Sequence, residues 1–132
     1  MHDIIIIGGS FAGLAAATQI GRARRSALVL DTGAPRNRFA AHSHGFFSRD
    51  GAPPLELLDE ARRQLGRYPT VEFRTAAAMA AKRDGEGFSI ELESGERLSS
   101  RRLILAHGMV DEADLLPGMQ ECWGKTVFFV GC

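Results

Sequence analysis

The chain has 132 residues, enough for one domain that buries roughly two thirds of the surface of its unfolded chain. Its 16 Lys and Arg residues balance its 16 Asp and Glu residues, so long-range charge does not favour nucleic acid or an anionic membrane as a partner. The first apolar run is too short for a signal sequence or a membrane span, and 2 cysteines are too few for a disulfide framework, so we expect a cytoplasmic protein.

The first predicted elements are a buried strand, a glycine-rich turn and a helix. Residues 4–7 are four consecutive isoleucines, a pattern typical of a strand covered on both faces of a parallel sheet. Residues 8–13 (GGSFAG, hereafter the glycine turn) match the dinucleotide-binding pattern GxGxxG, with Ser10 in place of the second glycine. Residues 11–20 favour a helix, which we expect to end near Arg24 or Arg25. A phosphate would lie at its N-terminus, where unpaired N–H groups attract anions.

A second predicted strand, residues 27–31, ends in an acid. Asp31 lies 18 residues beyond Gly13, near the distance at which the dinucleotide pattern places a carboxylate that accepts hydrogen bonds from a ribose. Its charge would repel a 2′-phosphate, so NADP is disfavoured at this site. The alternative is an ordinary βαβ unit, in which the glycines only make a turn and Asp31 only caps a strand.

Residues 32–54 show no helical or strand periodicity and are predicted to form a long loop, which is uncommon in a compact domain unless it has a function. The cations and amide of residues 36–38 suit phosphate and ribityl oxygens, and the aromatic and imidazole groups of residues 42–47 suit a planar ring. No cluster of Cys, Asp or Glu beside His42 and His44 completes a metal site, so we predict no metal; a solvated or core-packed histidine pair stays open.

The second half of the chain is predicted to contain one helix and several strands. Residues 55–68 place Leu55, Leu58 and Leu65, with Ala61 or Arg62, on one helical stripe. We predict a short strand over residues 71–74, leave residues 75–82 open between helix and strand, and predict an antiparallel meander over residues 78–100. Core strands are expected over residues 103–106 and 126–130.

These segments together carry a resemblance to a known family. The motifs GGSFAGL, PRNRF, HSHGFF and LILAHG, followed by LPG, resemble the N-terminal part of the thioredoxin reductase-like FAD-dependent oxidoreductases, in particular the bacterial pyridine nucleotide-disulfide branch that includes dithiol oxidases. The likeness extends over essentially all 132 residues. It implies an α/β fold, a three-layer Rossmann-like FAD domain with a central parallel sheet, helices on one face and a small antiparallel meander on the other. It also implies a strand within residues 75–82.

The resemblance further implies which positions contact FAD. The glycine turn would bind the pyrophosphate, Asp31 the adenosine ribose, residues 36–38 the pyrophosphate and ribityl chain, and residues 44–46 the flavin ring. Backbone near residues 77–78 would meet the adenine, and residues 106–108 would close over the cofactor. The full set is Gly8, Gly9, Ser10, Phe11, Ala12, Gly13, Asp31, Thr32, Arg36, Asn37, Arg38, His44, Gly45, Phe46, Ala77, Ala78, Ala106, His107 and Gly108. Ser10 and His107 depart from the common pattern, which has glycine and threonine there.

The enzymes that the chain resembles continue into an NAD(P)H-binding domain with a redox Cys-x-x-Cys pair and then complete the FAD domain. We therefore expect residues 1–132 to form a single, incomplete FAD-binding domain without turnover of its own. Cys132 lies near the start of the expected redox pair and is the candidate redox thiol, whereas Cys122 is too far upstream to pair as Cys-x-x-Cys. For both, the alternative is a small thiol without a redox role.

Three functions stay open from sequence. The first is the FAD-binding portion of a flavin-dependent NAD(P)/disulfide or dithiol oxidoreductase. Its expected partners are FAD and either a second copy of the chain, in a homodimer, or a partner chain that supplies the NAD(P)H domain. The second is a non-catalytic module that binds FAD, NAD or ADP. The third is a stand-alone NAD-dependent dehydrogenase, which is disfavoured because no Tyr-x-x-x-Lys motif follows the glycine turn and Tyr68 lies on a predicted helix.

Overall fold

The computed structural model describes residues 1–33, 41–109, 117–118 and 121. Three sequence predictions fall outside these residues: the ligand contacts of residues 36–38, the strand over residues 126–130, and the roles of Cys122 and Cys132. The described helices and strands are, in chain order, β1 (His2–Ile7), α1 (Phe11–Arg22), β2 (Ala27–Asp31), α2 (Pro54–Leu65), β3 (Val71–Thr75), β4 (Ala78–Asp84), β5 (Gly87–Leu92) and β6 (Arg97–Leu105).

The strands form one mixed sheet in the order β3-β2-β1-β6-β5-β4. β1 lies in the middle and pairs in parallel with both β2 and β6, while β3 pairs in parallel with β2. β5 pairs antiparallel with β6 and with β4. Because sequential parallel strands require crossovers, α1 and α2 lie between the parallel strands of the chain.

Two hydrophobic cores cover opposite faces of the parallel strands. On one face Ile6 and Val29 pack with Leu14 of α1 and Leu58 of α2. Successive residues of a strand point to opposite faces of the sheet, so Ile5 and Leu28 face away from the helices. They pack against the meander in a second cluster, which contains Ile5, Leu28, Leu30, Ile90 and Leu92. The three-layer fold predicted from the sequence is therefore confirmed, and it explains why β1 has no polar alternation.

The meander joins the parallel sheet through a single long strand. Ser100 of β6 pairs with Phe88 of β5 on one side and with His2 of β1 on the other. The prediction of a meander that ends at residue 100, followed by a separate core strand, is wrong in this respect. The polar residues 99–102 interrupt the apolar pattern, but backbone hydrogen bonds continue the strand through them.

Several predicted boundaries change. α1 ends at Arg22, before the expected Arg24, which has a positive φ of 56° and cannot continue the helix. α2 begins at Pro54, which suits a first helical turn, and its buried stripe contains Leu57 instead of Leu55, whose side chain is 52% exposed. Residues 78–84 form a strand despite their alanines, as the family resemblance implied.

None of the helices within the described ranges combines the length and apolar character needed to cross a membrane.

Asp3 fixes the start of β1 to the turn that precedes β2. Its N–H donates to the hydroxyl of Ser26 at 2.8 Å, and its carboxylate accepts from the N–H and the hydroxyl of Ser26, both at 3.1 Å. The hydrogen bonds from the backbone and then the side chain of Ser26 lower the pKa of Asp3 below its usual value, and the charges of Arg25 and Arg101 act in the same direction. These bonds hold the two central parallel strands together at their amino ends.

We expect Asp3→Asn to lower the melting temperature in a pH-dependent way. A carboxyl whose pKa is lowered by folding adds stability above its unfolded pKa, and this stability is lost as the pH falls through the folded pKa. The difference between the two proteins should be complete above about pH 5 and should shrink below about pH 4, because asparagine resembles the protonated acid. Thermal unfolding followed by circular dichroism at several pH values measures it. Asp84→Asn, at an exposed strand end, is the matched control; a difference that stays constant with pH would contradict the assignment.

Candidate functional site

The glycine turn lies at the carboxyl end of the central strand, between the ends of its two neighbours. The N–H of Gly8 donates to the carbonyl of Leu30 in β2 at 2.7 Å, and the N–H of Ala106 donates to the carbonyl of Ile7 at 2.8 Å. The carboxyl ends of parallel strands are the edge at which open α/β sheets bind ligands. The turn is therefore fixed in position by backbone bonds to both sides.

Three glycines of the turn have no room for a side chain. A Cβ on Gly8 would overlap the carbonyl of Ala106, and one on Gly13 would overlap the carbonyl of Gly8. A Cβ on Gly9 would lie 2.7 Å from the ring of Phe73 and 2.8 Å from the Cβ of Asp31. Gly8 also has a φ of 107°, which side-chain-bearing residues rarely adopt. The glycine pattern thus serves close packing of strand, turn and helix.

The amino end of α1 presents donors without helical acceptors. Ser10 is the N-cap residue with an extended backbone, and its carbonyl accepts the first helical bond, from Leu14 N–H at 2.9 Å. The N–H groups of residues 11–13 precede that bond and have no acceptor among the described residues. The first turn carries no acidic side chain, and the hydroxyl of Ser10 makes no capping bond. These features fit the binding of a phosphate group.

Asp31 lies beside the glycine turn, at the end of β2, as predicted. Its Oδ1 accepts from the N–H of Gly9 at 3.1 Å, and its Oδ2 accepts from the N–H of Gly33 at 3.1 Å. The side chain is only 13% exposed. The acid and the turn therefore form one continuous surface, as a ligand with both a diphosphate and a ribose would require.

Arg62 is a member of this site that the sequence reasoning did not identify. Its Nη2 donates to Oδ2 of Asp31 at 2.9 Å, and its guanidinium carbon lies 4.8 Å from the centre of the Phe73 ring. The sequence carried a signal, because Arg62 occupies the apolar stripe of α2, where a charged residue needs a partner.

The loop over residues 41–53 closes on itself and contacts the helix through one aromatic ring. Phe46 lies 5.7 Å from Phe11, centre to centre, at the amino end of α1. Gly45 N–H donates to the carboxylate of Asp50 at 2.7 Å, and Nδ1 of His44 lies 3.6 Å from the same carboxylate. His44 is 78% exposed. Phe46 is thus brought to the glycine turn, whereas His44 and Gly45 contact Asp50 within the loop.

The remaining predicted positions surround the turn on its two sides. Ala76 N–H donates to the carbonyl of Asp31 at 3.0 Å, and residues 77–78 follow Ala76 directly in the chain. Thr32 follows Asp31 directly and is exposed. The backbone of Ala106 and His107 abuts Gly8, and Gly108 follows with a φ of 71°. Their contacts with a cofactor stay predictions.

A cavity of about 760 Å³ lies between α1, α2 and the loop near Phe46. It shares only Phe11 and Ala12 with the glycine turn, and Asp31 is not among its lining residues. The candidate dinucleotide site is therefore defined by the strand ends and not by this cavity.

No family model matches the chain, but known proteins and structures do. It is 38% identical to the thioredoxin reductase aclD of Aspergillus oryzae over 97% of its own length and 41% of the relative's. The oxidoreductase of Agrobacterium tumefaciens is 49% identical in sequence, with a TM-score of 0.89 over 94% of this chain and 42% of that one. The thioredoxin reductase of Lactococcus lactis has the same fold, with a TM-score of 0.81 at 22% identity.

These relationships confirm the resemblance predicted from the motifs. The likeness covers nearly the whole chain, but the chain spans only 33–41% of the length of the first curated relatives that it matches.

We expect Gly13→Ala to destabilise the fold by about 1–3 kcal/mol, because the added methyl group would push α1 away from the carbonyl of Gly8. Urea unfolding measures the loss. Gly66→Ala is the control: Gly66 has a helical φ of −58°, and its added Cβ would lie 3.3 Å from the carbonyl oxygen of Arg63. Equal losses in the two variants would show that the turn is not packed as described.

Proposed function

We propose, from the relationship of this chain to the thioredoxin reductases, that it is the FAD-binding portion of a flavin-dependent oxidoreductase acting on a disulfide or dithiol. The observation that carries the proposal is the juxtaposition of the carboxylate of Asp31 with N–H groups at the amino end of α1 that have no acceptor in the described part of the chain. This arrangement offers donors for a diphosphate and an acceptor for a ribose at one sheet edge.

Different residues would bind different parts of the cofactor. The N–H groups of residues 11–13 and the hydroxyl of Ser10 would bind the diphosphate, Asp31 the adenosine ribose, and backbone near Ala77 the adenine. Phe46 would pack towards the flavin. Residues 36–38, His44, Gly45 and residues 106–108 complete the proposed set. FAD, when bound, supplies the hydride and electron transfer, and the protein supplies its binding and orientation.

The proposal includes the organisation of the whole enzyme. Residues 1–132 would form one FAD-binding domain, and the nicotinamide site and redox thiols would come from a further domain or from a partner chain. We also propose that the chain associates with a second copy of itself. A cytoplasmic location belongs to the same proposal, because the chain has only 2 cysteines.

The second candidate is a dinucleotide-binding module without catalysis. It is favoured by one observation: the described contacts around Asp31 and the glycine turn suit the ADP moiety, which FAD, NAD and ADP share.

Direct binding separates the first function from a module that binds NAD or ADP but not FAD. The purified chain is mixed with FAD and passed through gel filtration, and its visible spectrum is recorded; FAD, NAD and ADP are then titrated by calorimetry. A flavin band that stays with the protein supports the first function. Binding of NAD or ADP without FAD supports the second and rejects the first.

We expect Asp31→Ala to weaken FAD binding by roughly 10-fold or more, because the ribose loses a charged acceptor. Calorimetry of the variant gives the change in Kd. Asp59→Ala, which removes a carboxylate from the exposed face of α2, should leave the Kd unchanged. An unchanged affinity in Asp31→Ala would show that the adenosine lies elsewhere.

A further inference from the structure

We propose that Arg62 is a positioning residue for Asp31, which it orients so that the carboxylate accepts a single ribose hydroxyl. This inference rests on the proposed function, since it concerns the same nucleotide. Arg62 lies on α2, which is not part of the dinucleotide pattern of glycine turn and acidic strand end. The pattern therefore does not assign a role to Arg62, and its role is inferred from its packing against Asp31.

Among the described residues, the hydrogen bonds to Asp31 leave one acceptor position of its carboxylate free. A carboxylate offers about four lone-pair positions, two on each oxygen. Oδ2 accepts from Gly33 N–H and from Nη2 of Arg62, and Oδ1 accepts from Gly9 N–H. The remaining position is on Oδ1, the oxygen that faces the glycine turn. One hydroxyl of a ribose can therefore bind without displacing Arg62.

Arg62 is itself held in place. Its guanidinium lies over the Phe73 ring at 4.8 Å, a distance that allows a cation–π interaction, and the same ring limits the space at Gly9. Its side chain is 33% exposed, so much of its stem is packed. The planar guanidinium is rigid and loses little freedom when it pairs. Turn, acid, cation and ring thus form one packed unit.

Arg62 also offsets unfavourable electrostatic terms at Asp31. A mostly buried carboxylate next to a turn that binds a diphosphate would meet two penalties, lost hydration and repulsion by like charge. Arg62 is the cation that contacts Asp31 among the described residues, and it offsets both. With Asp31 removed, the same guanidinium would lie unpaired at the ribose, where it suits a 2′-phosphate.

A double-mutant cycle with FAD tests whether Arg62 acts through Asp31. The variants are Arg62→Met, which keeps the packed stem, Asp31→Ala and the double variant; circular dichroism establishes folding. We expect Arg62→Met to weaken FAD binding about 5-fold or more in the unmodified chain and less than about 2-fold in the Asp31→Ala background. Arg63→Met, which removes a neighbouring cation that pairs with Glu60, is the control and should not change the Kd. If Arg62→Met does not fold, Arg62→Lys replaces it, with the same non-additivity expected.

Nucleotide preference gives a second readout that a purely structural role would not change. Adenosine 2′,5′-bisphosphate and 5′-AMP are compared as competitors of FAD. The ratio of the affinity for the bisphosphate to the affinity for 5′-AMP should be about 5-fold or more higher in Asp31→Ala than in the unmodified chain. The double variant should lose this increase. Additive losses of FAD affinity, or no gain for the bisphosphate, would overturn this inference alone. Absence of FAD binding by the unmodified chain would overturn the proposed function as well.

Discussion

The structure depends on one close approach of backbone to backbone, where Gly8 passes between the ends of β2 and β6. Its N–H reaches the carbonyl of Leu30, and its Cα lies so close to Ala106 that no Cβ fits. This contact allows α1 to begin directly after the central strand. The direction of α1 follows from it, because Gly13 packs the first helical turn against the carbonyl of Gly8. The same packing sets the direction of the N–H groups in the first turn of α1.

Burial on both faces of the sheet holds this contact in place. Ile5 and Ile6 are fully buried in opposite cores, one facing the meander and the other facing the helices. The continuous strand β6 connects these layers, since its first half pairs with β5 and its second half with β1. A shift of β6 would therefore move both the meander and the strand end against which the glycine turn rests. The layers that bury the isoleucines therefore also carry the residues around the turn.

The sequence predicted the parts of this structure that have a local physical signature. The isoleucine run, the glycine turn and the acid at the end of β2 were recognisable because burial, close packing and ligand chemistry restrict residue types there. It did not predict the continuity of β6, since backbone pairing through residues 99–102 does not depend on apolar side chains. It also misplaced the stripe of α2 at Leu55, because the helix begins at Pro54, and it did not identify Arg62, whose partner Asp31 is 31 residues away in the chain.

The two halves of the candidate site differ in how they are supported, and this difference determines what each half can specify. The half proposed to bind adenosine is made of strand ends, with Asp31 bonded to Gly9, Gly33 and Arg62. The other half depends on a loop that is closed by its own bonds, such as Gly51 N–H to the carbonyl of Ser43 at 2.7 Å, and that meets α1 through the ring of Phe46. A preorganised half contributes affinity for the group that dinucleotides share, because little freedom is lost on binding. Under the proposed function, we expect discrimination between a flavin and a nicotinamide to come from the loop. Variants at the strand ends should then change how tightly the dinucleotide binds, and loop variants should change which dinucleotide binds.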